Sequence, residues 1–318
     1  MKKLHHILES QQFSKEWLEE ELFPLAAKME KVVKEKGFFS SLKYFFERKA
    51  LAGKKVVIFF DEESTRTRIS FEIATASLGG KFFTSIGKFS SRVKGETIED
   101  TARVISGYQP DAIILRTPEE GMAKKIAEFS SVPIINAGDG MGQHPTQTLL
   151  DLYTIQKELG KISGTWIAMA GDLKRGRTVR SLAYLYAKFL NVKISFVSPK
   201  AARISDDIKD YLRCHDIWFE EIYDLREAAP KVDIIYSTRI QRERGGDILL
   251  NYGPPSFWKV NQEVLDLMKK DAIIMHPLPR LENEELPKEV DNDPRAVYFR
   301  QAENGLYVRM ALLKMILK

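Results

Sequence analysis

At 318 residues the chain is long for one ordinary domain, and 44% hydrophobic with 29% charged content suits two packed cores rather than a disordered or fibrous polymer. The net charge of +5 comes from scattered basic residues with no basic run carrying interleaved aromatics, which argues against nucleic acid and for small anionic substrates. One cysteine, Cys214, excludes an internal disulfide framework and a multi-cysteine zinc site. No apolar run reaches 18 residues, and the basic start Met1-Lys2-Lys3-Leu4-His5-His6 has no apolar signal core. The expectation is a soluble, cytoplasmic, two-domain α/β protein with no membrane partner.

In chain order, Trp17, Leu22, Leu25, Met29 and Val32 recur at roughly helical spacing over residues 14–35, with Ser14 as the N-cap. Strand-like runs follow at 56–60, 81–86, 112–115, 133–137, 166–170, 192–197, 234–237 and 272–275. Helical patterns separate most of them, at 69–78, 97–106, 122–129 and 179–189. Such alternation predicts parallel sheets with helical crossovers. A closing helix is expected over 296–313, weakened slightly by Asn304-Gly305.

The junction after the first strand carries the clearest chemistry. Ser64, Thr65, Arg66, Thr67 and Arg68 place three hydroxyls and two guanidiniums in five residues, before a helix read from Ile69 onward. A helix N-terminus presents unpaired N–H groups and positive dipole charge, and an arginine fork fits phosphate. The Gly-x-x-x-x-Gly-Lys loop of nucleotide binders is absent, so this reads as a phosphate site of another kind. The polar segment Phe89–Thr97 is either a solvated connection or a mobile lid that brings Lys94 to an anion.

Arg116 follows an apolar strand, where open α/β sheets place ligands, so it should share a crevice with Ser64. Asn136–Gln143 supplies three glycines before His144-Pro145-Thr146-Gln147. Pro145 suits the first helical position, which puts His144 at the N-cap. The dipole there favours neutral histidine, either as a plain cap or as a donor to a polarised carbonyl oxygen. Arg177 opens another helix after the loop Gly171–Gly176. Arg239, Gln241, Arg242 and Arg244 follow a strand in a pattern suited to a carboxylate, a solvated loop being the alternative. Pro277 and Pro279 fix the backbone of Met275–Arg280 and leave the Pro277 and Leu278 carbonyls as acceptors.

Together these motifs resemble the catalytic chains of the aspartate/ornithine carbamoyltransferase family, in its aspartate branch. S-T-R-T-R-I-S-F-E at 64–72, K-G-E-T at 94–97, H-P-T-Q-T-L-L-D at 144–151 and G-D-L-K-R-G-R-T at 171–178 carry the resemblance. T-R-I-Q-R-E-R at 238–244, H-P-L-P-R at 276–280 and Y-F-R-Q-A-E-N-G-L-Y-V-R-M-A-L-L at 298–313 complete it over nearly the whole chain. Within the family, T-R-I-Q-R-E-R and H-P-L-P-R separate the aspartate branch from the ornithine branch.

The resemblance implies two domains with the active site in the cleft between them. Residues 1–147 would bind carbamoyl phosphate, 148–296 would bind aspartate, and the helix 297–318 would pack back on the first domain. Ser64, Thr65, Arg66, Thr67 and Arg116 would hold the phosphate. Thr67, Arg116 and His144 would polarise the carbamoyl oxygen, with Arg66 also in the catalytic set. Gln147 and the carbonyls of Pro277 and Leu278 would hold the carbamoyl NH₂. Arg177 would take the aspartate α-carboxylate, and Arg239 with Gln241 the side-chain carboxylate. Ser90 and Lys94 would arrive from a neighbouring subunit of a homotrimer, Lys94 also serving aspartate. No cofactor or metal is implied, and further assembly with regulatory chains or a dihydroorotase stays open. Two positions depart from the family pattern: Glu63 stands where proline is frequent, and Thr117 where histidine is common.

Overall fold

The computed structural model describes residues 4–241, 245, 257–281 and 285–318. The chain divides into two compact units, Met1–Leu149 with Asn304–Lys318, and Leu150–Glu303. In the first unit, strands β1 (Lys55–Phe60), β2 (Lys81–Ile86), β3 (Ala112–Thr117) and β4 (Ile134–Asp139) form one sheet in the order β2-β1-β3-β4. In the second, β5 (Trp166–Ala170), β6 (Lys193–Val197), β7 (Trp218–Ile222), β8 (Ile234–Ser237) and β9 (Ile273–Met275) take the order β7-β6-β5-β8-β9. Every pairing is parallel. The inner strands are near-continuous apolar runs because helices cover both faces. Phe59, Ile113, Leu115 and Ile134 join Ile98, Ala123 and Ile126 in one core, and Ala168, Ala170, Ile235 and Ile274 join Leu225, Trp258 and Val264 in the other.

Several boundaries differ from the sequence reading for identifiable reasons. The helix expected from Ile69 begins at Thr65 and runs to Ser77, so its first turn is the hydroxyl and arginine cluster itself. The apolar pattern begins later than the helix because that first turn is polar. Arg116 lies inside β3 rather than beyond it, paired in register with Phe60. β7 was not expected: Glu220 and Glu221 interrupt its apolar pattern, yet Ser195 Oγ donates to Glu220 at 2.7 Å and Lys209 pairs with Glu221 at 3.5 Å. The N-terminal helical stretch is Lys15–Trp17, a π-helical turn Leu18–Leu22, then Phe23–Lys34, with Ser14 Oγ accepting from the Trp17 N–H at 3.2 Å. The last helix, Tyr298–Leu317, passes through Asn304-Gly305 unbroken.

Because each sheet is parallel, the carboxyl ends of its strands share one edge. In the first unit that edge gathers the segments after Phe60, Thr117 and Asp139; in the second, those after Ala170, Ser237 and Met275.

Candidate active site

Ser64 occupies the N-cap of the Thr65–Ser77 helix in an extended conformation, and its hydroxyl accepts no capping bond. The N-terminal N–H groups of a 13-residue helix are thus left without a side-chain cap, the arrangement that receives an anion. Thr67 is buried in the first turn, whereas Thr65 and Arg66 are exposed. The strand register brings Arg116 beside this turn: the Asp61 N–H donates to the Arg116 carbonyl at 2.8 Å. Arg116 as a residue is only 9% exposed. Its guanidinium donates to the Ala137 carbonyl at 3.2 Å and to Glu62 Oε1 at 3.1 Å. An anion arriving at Arg116 therefore competes with Glu62, a partner the sequence reading missed in favour of the exposed Glu63.

The third segment of this edge is stapled by Asp139. Its carboxylate accepts from the N–H of Gly121 at 3.0 Å and of Gln143 at 2.7 Å, while the Gly140 N–H donates to the Thr117 carbonyl at 2.9 Å. At Gly140, with φ of 48°, a Cβ would come within 2.6 Å of the Pro118 carbonyl, so glycine alone fits there. Thr117 is fully buried and its Oγ1 accepts from the Glu119 N–H at 3.1 Å, which settles the local role of that departure as a turn lock. The loop delivers His144 just ahead of the helix Pro145–Leu159, as read from Pro145. His144 and Gln147 are both buried, and the His144 carbonyl accepts from the Gln147 N–H at 2.9 Å. Thr146 Oγ1 lies 3.5 Å from His144 Nδ1. Ser64, Thr65, Arg66, Thr67, Arg116, His144 and Gln147 thus all stand at one end of one sheet.

Ser90 and Lys94 lie in the segment after β2, Ser90 between two short 3₁₀ turns and Lys94 at the end of the second. Ser90 Oγ donates to the Gly87 carbonyl at 2.9 Å, and Lys94 is exposed. The segment starts at the same end of the sheet as the Ser64–Arg68 turn: Ile86 pairs with Phe60, and a Cβ on Gly87 would come within 2.1 Å of Asp61 Oδ1.

In the second unit, Arg177 is the first residue of the helix Arg177–Tyr186 and is buried. Asp172, fully buried, ties its loop to the one after β8: its carboxylate accepts from the Arg175 N–H at 3.3 Å and the Gln241 N–H at 3.2 Å. Burial pushes its carboxyl above the ordinary aspartate range, against the pull of those N–H groups and Arg175. Gly171 permits the approach, since a Cβ there would stand 2.1 Å from the Thr238 carbonyl. Arg239 and Gln241 are half-buried on this loop, with Arg239 Nη1 donating to the Ile240 carbonyl at 3.1 Å. Arg242 and Arg244 lie outside the described residues. After β9, Pro277 and Leu278 are half-buried, and among the described residues neither carbonyl accepts a hydrogen bond. The sequence reading missed Glu62, Asp172 and a buried pair at His276 and Glu285, because neither the burial of these groups nor their pairing follows from local pattern. Among the described residues no cluster of His, Cys, Asp and Glu could hold a metal.

Comparison with known proteins bears on the same two regions. Residues 5–157 match the family described as aspartate/ornithine carbamoyltransferase, carbamoyl-P binding domain, and residues 163–316 match its Asp/Orn binding domain. The chain is 50% identical over 317 residues to the chloroplastic aspartate carbamoyltransferase of Arabidopsis thaliana, covering 99% of this chain and 78% of that protein. It superposes on the catalytic subunit of aspartate transcarbamoylase from M. jannaschii with a TM-score of 0.85 at 45% identity, covering 98% of each chain. It matches the Trypanosoma cruzi aspartate transcarbamoylase, in complex with carbamoyl phosphate and aspartate, with a TM-score of 0.88 at 34% identity over 98% of this chain and 95% of that one. Motif order, paired parallel-sheet units and these matches agree: the chain belongs to the aspartate/ornithine carbamoyltransferase family.

Proposed function

We propose that this protein is an aspartate carbamoyltransferase, moving the carbamoyl group of carbamoyl phosphate to the amine of L-aspartate in the committed step of pyrimidine synthesis. The observation that carries the reading is the uncapped Thr65–Ser77 helix start with buried Arg116 in register beside it, in a chain whose relatives bear that name. The aspartate nitrogen, unprotonated, attacks the carbamoyl carbon directly. The C–O bond to phosphate breaks, and the leaving phosphate takes the amine proton. No covalent enzyme intermediate is required, so catalysis rests on alignment and charge stabilisation.

Ser64, Thr65, Arg66 and Thr67 hold the phosphate, with Arg116. Thr67, Arg116 and His144 stabilise the oxygen as it gains charge, and Gln147 with the Pro277 and Leu278 carbonyls takes the NH₂. Arg177 receives the α-carboxylate, Arg239 and Gln241 the side-chain carboxylate. Turnover with aspartate but not ornithine, measured as carbamoylated product, tests this assignment; turnover with ornithine alone overturns it. Arg239→Ala is expected to raise KM for aspartate by about a hundredfold, the loss of a charge-assisted fork, with KM for carbamoyl phosphate little changed. Glu63→Gln is expected to tighten carbamoyl phosphate binding by up to about threefold at low salt, since an exposed carboxylate acts through screened solvent. Unchanged affinity at low ionic strength would remove Glu63 from the electrostatics of the site.

Ser90 and Lys94 complete a neighbour's site in a homotrimer. Supporting this, β2 is an edge strand carrying exposed Phe82 and Phe83, and Ile69, Ile73, Phe89 and Val93 are also exposed in the same unit. Apolar surface beside an open sheet edge is the kind that partners cover. The reducing cytoplasm suits a chain whose one cysteine, Cys214, is exposed and unpaired.

A further inference from the structure

We propose that His276 is a positioning residue that sets selectivity for the carbamoyl NH₂, by fixing the turn whose carbonyls receive it; this rests on the assignment of Pro277 and Leu278 made above. Leu278 adopts a left-handed backbone with φ of 52°, a conformation that disfavours a leucine side chain. What holds it there is His276: the Leu278 N–H donates to His276 Nδ1 at 2.9 Å. Accepting at Nδ1 places the ring proton on Nε2, and Nε2 faces Glu285 Oε1 at 3.1 Å. Both side chains are 1% exposed, so water does not replace either bond. Glu285 Oε1 also accepts from the Leu281 N–H at 2.9 Å, closing the far side of the turn.

The backbone of His276 is held with equal care. Its N–H donates to Gln301 Oε1 at 2.9 Å, and Gln301 Nε2 donates to Asp151 Oδ1 at 2.6 Å. Tyr236 OH donates to Asp151 Oδ2 at 2.8 Å, and these three side chains are also buried. Burial, with Asp151 beside it, pushes the Tyr236 hydroxyl well above the ordinary tyrosine range, so it stays a donor. Beyond Pro279, Arg280 Nη2 donates to Asp291 Oδ2 at 2.7 Å, fixing the other end of the turn. Two carbonyls that have no hydrogen-bond partner among the described residues are therefore presented by a turn that buried bonds hold on both sides. Such preorganised acceptors favour an amide NH₂ over an isosteric methyl, because a methyl leaves them unpaired.

Acetyl phosphate, which carries CH₃ in place of NH₂, is the direct probe. The quantity to measure is the ratio of dissociation constants for acetyl phosphate and carbamoyl phosphate, with inorganic phosphate as a reference for the phosphate end. His276→Gln keeps a group at the Nε2 position but removes the acceptor for Leu278. It is expected to lower the ratio at least tenfold while phosphate affinity holds. His276→Asn keeps an acceptor at the Nδ1 position and is expected to hold the ratio within about threefold of the unaltered protein. A ratio unchanged in His276→Gln, or equally lowered in both variants, overturns the proposal. If His276→Gln does not fold, collapse of selectivity in His276→Asn alone also overturns it. An unaltered protein that fails to prefer carbamoyl phosphate counts instead against the assignment of Pro277 and Leu278.

Discussion

Arg116→Ala is expected to lower kcat/KM for carbamoyl phosphate by about a thousandfold, with the fold retained. Loss of one preorganised donor to a developing oxyanion costs about a hundredfold to a thousandfold, and this guanidinium is assigned to the phosphate as well. Its position in β3, buried and opposite Phe60, fixes the fork without much entropy left to lose. Arg116→Lys should recover little, because a point charge cannot reproduce the planar fork. Stability should fall by only about 1–2 kcal/mol, since Glu62 can turn toward water once its partner is gone. Steady-state kinetics beside a thermal melt separate the two effects. A loss in kcat/KM smaller than tenfold would take Arg116 out of the reaction.

Mixing two inactive variants should restore activity that neither has alone. On the proposed assignment, Lys94→Ala spoils the site of a neighbouring chain, whereas His144→Ala spoils the chain's own site. In a trimer with exchanging subunits, a site is intact when a chain with His144 sits beside one with Lys94. For an equal mixture that combination arises at about a quarter of sites, so up to about 25% of normal activity is expected. The measurement is turnover after denaturation and refolding together, compared with each variant refolded alone. No recovery, despite trimers by light scattering, would show that Lys94 serves its own chain.

The Ser64–Arg68 turn was legible as a candidate anion site because its features are local: hydroxyls, arginines and a helix start all fall in consecutive residues. His144 before Pro145 was legible for the same reason, and both were found at helix starts. Arg116 was legible as a residue at a strand end, but its burial and its pairing with Glu62 depend on the register of β1 and β3, which no local pattern encodes. Asp172 and the His276–Glu285 pair were invisible for a related reason: a buried charge looks like any surface charge until its partner is known. β7 was missed because its glutamates have partners on β6 and on a helix, which makes a polar segment as stable there as an apolar one. Ser90 and Lys94 gained a role only by resemblance, because which subunit's site an exposed loop serves is not written in its own residues.

The first unit ends with the last residues of the chain. Arg309, on the final helix, donates to Ser70 Oγ at 2.8 Å and lies over the Phe71 ring, so it grips the helix that opens with the phosphate turn. Val308, Met310, Ala311, Leu312 and Leu313 around it are fully buried. As the chain leaves the ribosome, the first unit therefore waits, missing part of its core, while the contiguous second unit is made and can close. The Ser64–Arg68 turn reaches its finished form only once this helix has been made and has docked, and until then its apolar neighbours are open to misassembly or to a chaperone.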